Sequence, residues 1–374
     1  MAGADLQHLD KRAFGLEHLA VDGRRTSCFG VSPQVQASEE ELAAAFHRRR
    51  CVLTGNATTA LHLLFRALGP APRRVLLPAL LCRAPLYAAI AAGATPAFCD
   101  VSPATLGLDA AKAPLAEDEA PTAILAAHAF GVRLAKDEML GLASRSHAVL
   151  VEDAAQGGWW DAPPAGSVTV LSFGAGKPLD AGGGGALLTD DDALADAMLT
   201  LRDRLPPAPP STASVVACCQ AGGVPPPESW LRPVPVARLG AIRKAVLRWP
   251  SAASARTQQA ALYARLLAGC ASLQLPTGPP RPLWAYTVLL SSSGVRSRAL
   301  ILMRKRGLDA WPMYRPLHVW WRAVAPGQPP AHLPVAEEIA SRALNLPVDP
   351  RMTDAAVQAH AAGLLAALEE ADTP

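Results

Sequence analysis

The sequence is poor in aromatic residues, in lysine and in net charge. Aromatic residues make up 5% of the 374 residues, and 6 lysines accompany 29 arginines. The formal net charge is only +3 at pH 7, which argues against the strongly basic surface of a nucleic-acid-binding protein. The sequence also lacks an uncharged apolar run of about 18 residues, so it predicts no membrane-spanning helix and no membrane partner.

Regularly spaced cysteines and a secretory leader are absent as well. The 7 cysteines form no CxxC pair, which favours free thiols in a cytoplasmic protein and gives no metal site. Cys218 and Cys219 are adjacent, and two small buried residues explain them better than a redox-active pair. The N-terminus carries early charges and lacks the apolar core of a signal peptide. We therefore expect a cytoplasmic protein.

The chain is rich in small apolar residues and in loop-forming residues. Hydrophobic residues make up 50%, and 35 prolines and 28 glycines are scattered without a period. In the first half, continuous apolar runs alternate with helical periods, which indicates an α/β fold with a mostly parallel sheet covered on both faces. Strands are predicted at 48–55, 74–78, 94–101, 122–128, 148–153, 167–173 and 185–189.

The second half predicts a smaller α/β domain. Nine prolines between 206 and 235 indicate a long irregular connection. Beyond it the pattern predicts one strand at 284–290 and helices at 254–269, 294–307, 334–343 and 353–370. We therefore divide the chain into an N-terminal segment, a large domain, a connection with a linking helix, and a small C-terminal domain, at 1–47, 48–205, 206–250 and 251–374.

One lysine, Lys177, lies in the glycine-rich segment "SFGAGKPLDAGGGGALLT". A phosphate-binding loop is excluded because Leu171 stands where that loop needs glycine and Pro178 stands where it needs Ser or Thr. A surface lysine in a turn is the ordinary interpretation. The third is a Schiff base with pyridoxal phosphate, since small neighbours let a bulky ring approach the backbone.

The Schiff-base interpretation needs a carboxylate for the pyridine nitrogen and an anion site for the phosphate. Asp153 ends the apolar run "AVLVED", which places it at the carboxyl edge of the sheet, where open α/β folds bind ligands. "TGNATTAL" opens a helix, so Asn56, Ala57 and Thr58 offer N–H groups and a hydroxyl to an anion. Each residue alone is explained as a helix cap, but together they predict a cofactor site.

These segments, in this order, resemble the DegT-type nucleotide-sugar aminotransferases. That family is pyridoxal-phosphate-dependent and has the aspartate aminotransferase fold, fold type I. The similarity begins near Arg48 and extends to the C-terminus. It is carried by "TGNATTALHLLFRALG", "VLLPALLCRAPLYAAIAAGATPAFCDVSPATLGLD", "HAFGV", "VEDAAQGGW", "SFGAGKPLDAGGGGALLTDDD" and "ALNLPVDPRMTDAAV".

The resemblance assigns roles to residues. It implies that Lys177 holds the cofactor covalently, that Asp153 pairs with the pyridinium nitrogen and that Gln156 lies near the phenolic oxygen. It places His128 beside the cofactor, although a packed histidine at a strand end explains that residue equally well. The residues implied at the phosphate are Ala57, Thr58 and Ser172, with Asn56 at the helix start.

Two positions, and the proline-rich region before Trp230, depart from the family pattern. Cys82 occupies the place of the Phe or Trp that lies over the cofactor ring. In the segment that reaches the partner subunit's phosphate, Trp230 replaces Asn and Arg232 is kept. These replacements motivate an alternative function, a non-catalytic or regulatory protein of the same fold.

The substrate site is predicted less sharply. "WPMYRPLHVWW" is similar to a family segment at the site mouth, which implies that Tyr314, Arg315 and His318 meet a sugar or a diphosphate. An interdomain core explains the aromatic residues there equally well. Arg83 is either an anion-binding residue or a surface arginine at a helix start, the commoner case.

The resemblance implies an aminotransferase that moves an amino group from an amino acid to a nucleotide-linked keto sugar, with glutamate as the expected donor. It also implies a homodimer and a role in polysaccharide or natural-product synthesis. Another pyridoxal phosphate enzyme acting on a different keto substrate is an alternative. A sugar dehydratase of the family would have His in place of Lys177.

Overall fold

The computed structural model describes residues 32–69, 73–114, 120–157, 166–205, 225–325 and 331–372. The predictions for the N-terminus, for Cys218 and Cys219 and for most of the proline-rich connection lie outside these residues. Within the described residues, no helix is long and apolar enough to cross a membrane.

A seven-stranded sheet forms the large domain, in the order β1-β7-β6-β5-β4-β2-β3. Four of its six strand pairs are parallel, and the two pairs that involve β7 are antiparallel. The predicted mostly parallel sheet is therefore confirmed. The strands are β1 (Arg50–Thr54), β2 (Arg74–Pro78), β3 (Thr95–Cys99), β4 (Ala123–Ala127), β5 (Val149–Asp153), β6 (Val168–Ser172) and β7 (Gly185–Thr189).

Helices cover both faces of this sheet, which explains why its strands are continuously apolar. In β4, Ala123 and Leu125 join one core cluster, and Ile124 joins another on the opposite face. Along a strand, side chains alternate between the two faces. The helices are α1 (Pro33–Ala45), α2 (Ala57–Ala67), α3 (Ala84–Ala91), α4 (Lys136–Ser146) and α5 (Asp192–Arg202).

The small domain has a four-stranded antiparallel sheet in the order β10-β11-β9-β8. Tyr263 and Tyr286 stack at 5.2 Å between ring centroids within its core. A smaller α/β C-terminal domain is thereby confirmed. The strands are β8 (Leu273–Gln274), β9 (Ala285–Leu290), β10 (Trp311–Pro312) and β11 (Ala343–Pro347), and the helices are α6 (Leu239–Leu266), α7 (Ser293–Lys305), α8 (Leu317–Val324), α9 (Pro334–Arg342) and α10 (Asp354–Asp372).

Helix α6 begins fifteen residues before the helix predicted at 254–269, at Leu239, and it continues through Pro250. Its first half is held by packing, because Ile242, Ala245 and Trp249 are buried in a cluster shared with α1. Tertiary burial here outweighs the helix-breaking tendency of proline. The helix crosses the predicted boundary between residues 250 and 251, and the division into domains stays a prediction.

Candidate active site

Two neighbouring parallel strands bring Asp153 and Lys177 to the same edge of the large sheet. Asp153 is the last residue of β5, and β6 ends at Ser172, five residues before Lys177. Carboxyl ends of parallel strands share one edge, where such sheets bind ligands. Burial raises the pKa of the Asp153 carboxyl, and the positive charge of Lys177 partly opposes that shift.

Asp153 is a buried carboxyl group, with 7% of its surface exposed. Burial is the largest influence and raises its pKa above the ordinary value. The Ala155 N–H, which donates to Oδ1 at 2.9 Å, and the charge of Lys177 act in the opposite direction. An ionised Asp153 is therefore costly unless a cation or a proton donor lies against it.

Gln156, Tyr314 and Phe130 form a connected group beside Asp153. The Gln156 Oε1 accepts from the Phe130 N–H at 2.7 Å, and its Nε2 donates to the Tyr314 hydroxyl at 3.1 Å. The rings of Phe130 and Tyr314 stack with centroids 5.9 Å apart. Burial raises the pKa of Tyr314, and the Asp153 carboxylate raises it further. This group joins the small domain to the end of β5.

Cys82 belongs to the same site. Burial raises the pKa of its thiol, the Lys177 charge lowers it and Asp153 raises it again. In its ionised form, Cys82 also raises the pKa of Tyr314. The thiol thus lies among Lys177, Asp153 and Tyr314.

The N-terminus of α2 lies against β7 and β1. Asn56 caps the helix, because its Oδ1 accepts from the Thr59 N–H at 2.7 Å, while its Nδ2 donates to the Trp230 carbonyl at 2.7 Å. A Cβ on Gly185 would lie 2.3 Å from the Ala57 nitrogen, so only glycine permits this approach. Ala57 and Thr58 are the first two residues of α2, whose N–H groups point out of a helix start.

Ser172 lies at the same edge as the helix start. It is partly buried at the end of β6, and its Oγ accepts from the Gly174 N–H at 3.4 Å. Its partner across the strands is Gly185, the glycine that contacts α2. The predicted phosphate residues are therefore neighbours in space.

Three predicted residues make other contacts. The ring of His128 is buried, with Nε2 2.7 Å from Glu152 Oε1 and Nδ1 accepting from the Leu134 N–H at 3.3 Å. His318 is also buried and lies 2.9 Å from Glu337. Arg315 is exposed and forms no hydrogen bond or ion pair within the described part of the chain. His128 nevertheless lies next to Asp153, since its N–H donates to the Asp153 carbonyl at 3.1 Å and its charge acts on the Asp153 carboxyl. The structure does not bring Arg315 or His318 into the group around Lys177 and Asp153.

Trp230, which departs from the family pattern, and Arg83, the neighbour of Cys82, both make packing contacts. Trp230 is buried beneath α2, with its ring edge-on to His62 at 5.9 Å, so it serves the core. The guanidinium of Arg83 lies 5.9 Å from the Tyr87 ring and 5.5 Å from the Trp320 ring. Arg83 therefore packs on aromatic faces next to Cys82.

Sequence reasoning missed Trp284 as a site residue. Its ring centroid lies 5.2 Å from Lys177 Nζ, and its Nε1 donates to the Gly176 carbonyl at 2.8 Å. The run "WAYTVLL" predicted the strand that follows. No sequence pattern connects that strand to the lysine, because the contact joins two domains.

Comparison with known proteins defines the class. Residues 21–204 and 242–364 match the model of the DegT/DnrJ/EryC1/StrS aminotransferase family. The chain belongs to this family. The predicted family and the predicted enzyme class, aminotransferase, are thereby confirmed.

Three particular proteins are similar to this chain. GDP-perosamine synthase of Caulobacter vibrioides is 28% identical over 322 residues, which cover 82% of each chain. A pleiotropic regulatory protein of Geobacillus stearothermophilus is 31% identical, but the match spans only 35% of this chain and 36% of that protein. The structure of S. venezuelae DesV in complex with a ketimine intermediate is 25% identical with a TM-score of 0.74, covering 92% of this chain and 91% of that chain. The likeness confirms the predicted fold type.

Proposed function

We propose that this chain is a pyridoxal-phosphate-dependent aminotransferase that transfers an amino group from an amino acid to a keto sugar. One observation carries the proposal: an acid buried at the end of β5 and a lysine on the loop after β6 lie at the same sheet edge. An amine and a buried carboxylate at one ligand-binding edge are the two groups that this chemistry requires.

The residues present fit the cofactor. Asp153 is a buried acid whose ionised form needs a cationic partner, and a protonated pyridine nitrogen is such a partner. The start of α2 suits a phosphate, because its free N–H groups and helix dipole favour an anion. A Cβ on Gly176 would meet nothing within 4 Å, so the loop beside the lysine is open.

Each residue then has a defined task. The cofactor supplies an electron-poor ring that stabilises negative charge at the substrate carbon attached to nitrogen. Asp153 holds a proton at the pyridine nitrogen. Lys177 Nζ binds the cofactor covalently and moves a proton at the substrate carbon, since an amine is both a nucleophile and a base. Ala57, Thr58 and Ser172 bind the phosphate, and Gln156 lies beside the ring.

We further propose glutamate as the amino donor and a nucleotide-linked keto sugar as the acceptor. The name of the Caulobacter relative, GDP-perosamine synthase, supports a nucleotide sugar. The hydrogen bond between Gln156 and Tyr314 supports a substrate-binding role for Tyr314. Arg315, exposed on the next residue, is available to an anionic group such as a diphosphate.

The test is a screen of nucleotide-linked keto sugars and simple keto acids with glutamate, read out as 2-oxoglutarate. We expect turnover with at least one keto sugar and none when Lys177 is replaced by Ala. Release of 2-oxoglutarate with keto acids alone would move the acceptor to another class. No release with any acceptor would contradict the activity.

A second candidate function is a regulatory protein that uses the fold without catalysis. The replacement of the ring-stacking aromatic by Cys82 favours it, and so does the name of the Geobacillus relative. Visible absorbance after incubation with pyridoxal phosphate separates the two functions. A protein that stays colourless supports regulation, whereas a yellow protein supports the enzyme.

A further inference from the structure

Trp284 contacts the lysine loop twice. It directly precedes β9 in the small domain, and its ring centroid lies 5.2 Å from Lys177 Nζ. The same indole donates from Nε1 to the carbonyl of Gly176 at 2.8 Å. One contact therefore acts on the amine itself, and the other acts on the backbone that carries it.

The ring is the principal partner of the amine. Within the described residues, Nζ of Lys177 forms no hydrogen bond or ion pair. A lysine ammonium within about 6 Å of an indole centroid is attracted by the negative face of the ring. The indole therefore restricts a side chain that would otherwise move freely on its four-carbon stem.

Hydrogen bonds hold the backbone of Trp284 at both its N–H and its carbonyl. Its N–H donates to the Phe130 carbonyl at 2.8 Å. The buried Arg256 donates from Nη1 to the carbonyls of Val348 at 2.6 Å, of Leu283 at 3.2 Å and of Trp284 at 3.5 Å. These bonds fix the backbone from which the indole projects.

Aromatic neighbours fix the orientation of the indole. Phe130 lies 5.7 Å from it, tilted by 34°, and Trp311 meets it edge-on at 6.1 Å. Gly131 allows this packing, because a Cβ there would lie 3.0 Å from the Leu283 Cα. Trp284 is therefore a rigidly held side chain of the small domain that packs against a loop of the large domain.

We propose that Trp284 is the positioning residue for Lys177, holding the amine and its loop in the place where the cofactor is captured. This inference rests on the proposed function. It gives the small domain a direct part in setting the lysine, and it supplies an aromatic surface at a site where Cys82 supplies none.

The experiment measures Lys177 in two ways. The cofactor-free full chain is labelled with a small amine-acylating reagent, and peptide mass spectrometry compares Lys177 with Lys112 and Lys136 as internal references. Capture of pyridoxal phosphate is then followed by visible absorbance as Nζ adds to the aldehyde carbon and water leaves. Wild type, Trp284→Leu, Trp284→Phe and Trp311→Leu are compared.

For Trp284→Leu we expect labelling of Lys177 at least about threefold faster relative to the references, because the amine is no longer covered. Cofactor capture slows about tenfold, because the amine is no longer held in place. Trp284→Phe keeps a ring face and stays within about twofold of wild type in labelling. Trp311→Leu removes an edge-on neighbour of the indole but no contact with the amine. The backbone bonds of Trp284 and the Phe130 ring remain in this variant, so both rates should change by less than about twofold.

The outcomes separate this proposal from the function on which it rests. Wild type that captures no cofactor at Lys177 would defeat the proposed function. Wild type that captures it, with Trp284→Leu unchanged in both rates, would defeat only the positioning role. Equal effects of Trp284→Leu and Trp311→Leu would also defeat it, since general loosening of the aromatic cluster would then suffice.

Discussion

At the residue scale, Lys177 makes few stabilising contacts for a residue at the centre of a site. It is partly exposed, its Nζ faces one indole, and its backbone N–H donates to the Gly174 carbonyl at 3.1 Å. Its side chain fills no core volume. Its value to the protein must therefore lie in the chemistry of its amine.

Because Lys177 has a chemical role and few packing contacts, its replacement should affect turnover far more than stability. We expect Lys177→Ala to lower turnover by at least about 10³-fold, because no other group replaces a covalent nucleophile. The melting temperature of the cofactor-free protein should change little, since the substitution opens no cavity. Lys136→Ala, at the exposed start of α4, is the control and should keep full turnover. Comparable turnover in both variants would refute the role of Lys177.

Asp153, unlike Lys177, is expected to affect the stability of the cofactor-free protein. Burial raises its folded-state pKa, so its contribution is favourable below the unfolded pKa of about 4 and is lost as pH rises through the folded value. We therefore predict that Asp153→Asn raises the melting temperature of the cofactor-free protein at pH 7 and abolishes turnover. The gain should shrink towards pH 4, where the wild-type carboxyl is protonated.

Calorimetry of wild type and Asp153→Asn at both pH values checks this prediction. The difference between the two proteins is the quantity of interest, because other carboxyl groups titrate alike in both. A variant that is less stable than wild type at pH 7 would show that the ionised carboxylate is well solvated or paired without the cofactor.

At the element scale, the sequence predicted the strands of the large sheet better than the helices. Each predicted apolar run contains a strand, because both faces of the sheet are buried and the pattern leaves no ambiguity. Helices α1, α4 and α8 were not predicted. Helix α4 has a polar exposed face and few apolar positions, and α8 begins in a segment that was interpreted for its aromatic residues.

The approach of α2 to β7 gives the third prediction. Gly185→Ala places a methyl group 2.3 Å from the Ala57 nitrogen and should destabilise the protein by roughly 1–3 kcal/mol. It should also weaken cofactor binding, because it displaces the N-terminus of α2. Gly240→Ala is the matched control: it lies in α6 with nothing within 4 Å of its Cβ position, so it should be neutral or add roughly 0.5–1 kcal/mol.

Urea denaturation measures the first effect, and titration with pyridoxal phosphate followed by absorbance measures the second. Loss of stability without loss of affinity would place the phosphate away from the start of α2. Gly185→Ala with wild-type stability would contradict the close approach itself.

At the scale of the whole molecule, the site is assembled from two domains. The Tyr314 hydroxyl accepts from Gln156 Nε2, the Trp284 Nε1 donates to the Gly176 carbonyl, and the Leu317 N–H donates to the Ala79 carbonyl at 2.8 Å. The large-domain half of the site, with Lys177 and Asp153, was predictable from strand ends. In the small-domain half, Tyr314 was expected from the family resemblance, but Trp284 was not, because its contact with the lysine loop joins residues far apart in sequence.

The fourth prediction concerns assembly. We propose a homodimer, on the strength of the family resemblance, and we expect sedimentation at micromolar concentration to give twice the chain mass of 39.0 kDa. A shared site should make turnover fall on dilution in parallel with dissociation. A monomer that keeps full specific activity would contradict the dimer while leaving the chemistry of Lys177 intact.

The most direct measurement is borohydride reduction of the protein after incubation with pyridoxal phosphate, followed by peptide mapping. The account predicts the mass of the reduced cofactor on Lys177, on no other of the six lysines, and on no peptide of Lys177→Ala. A chain that carries no such mass, or carries it on another lysine, would contradict the account.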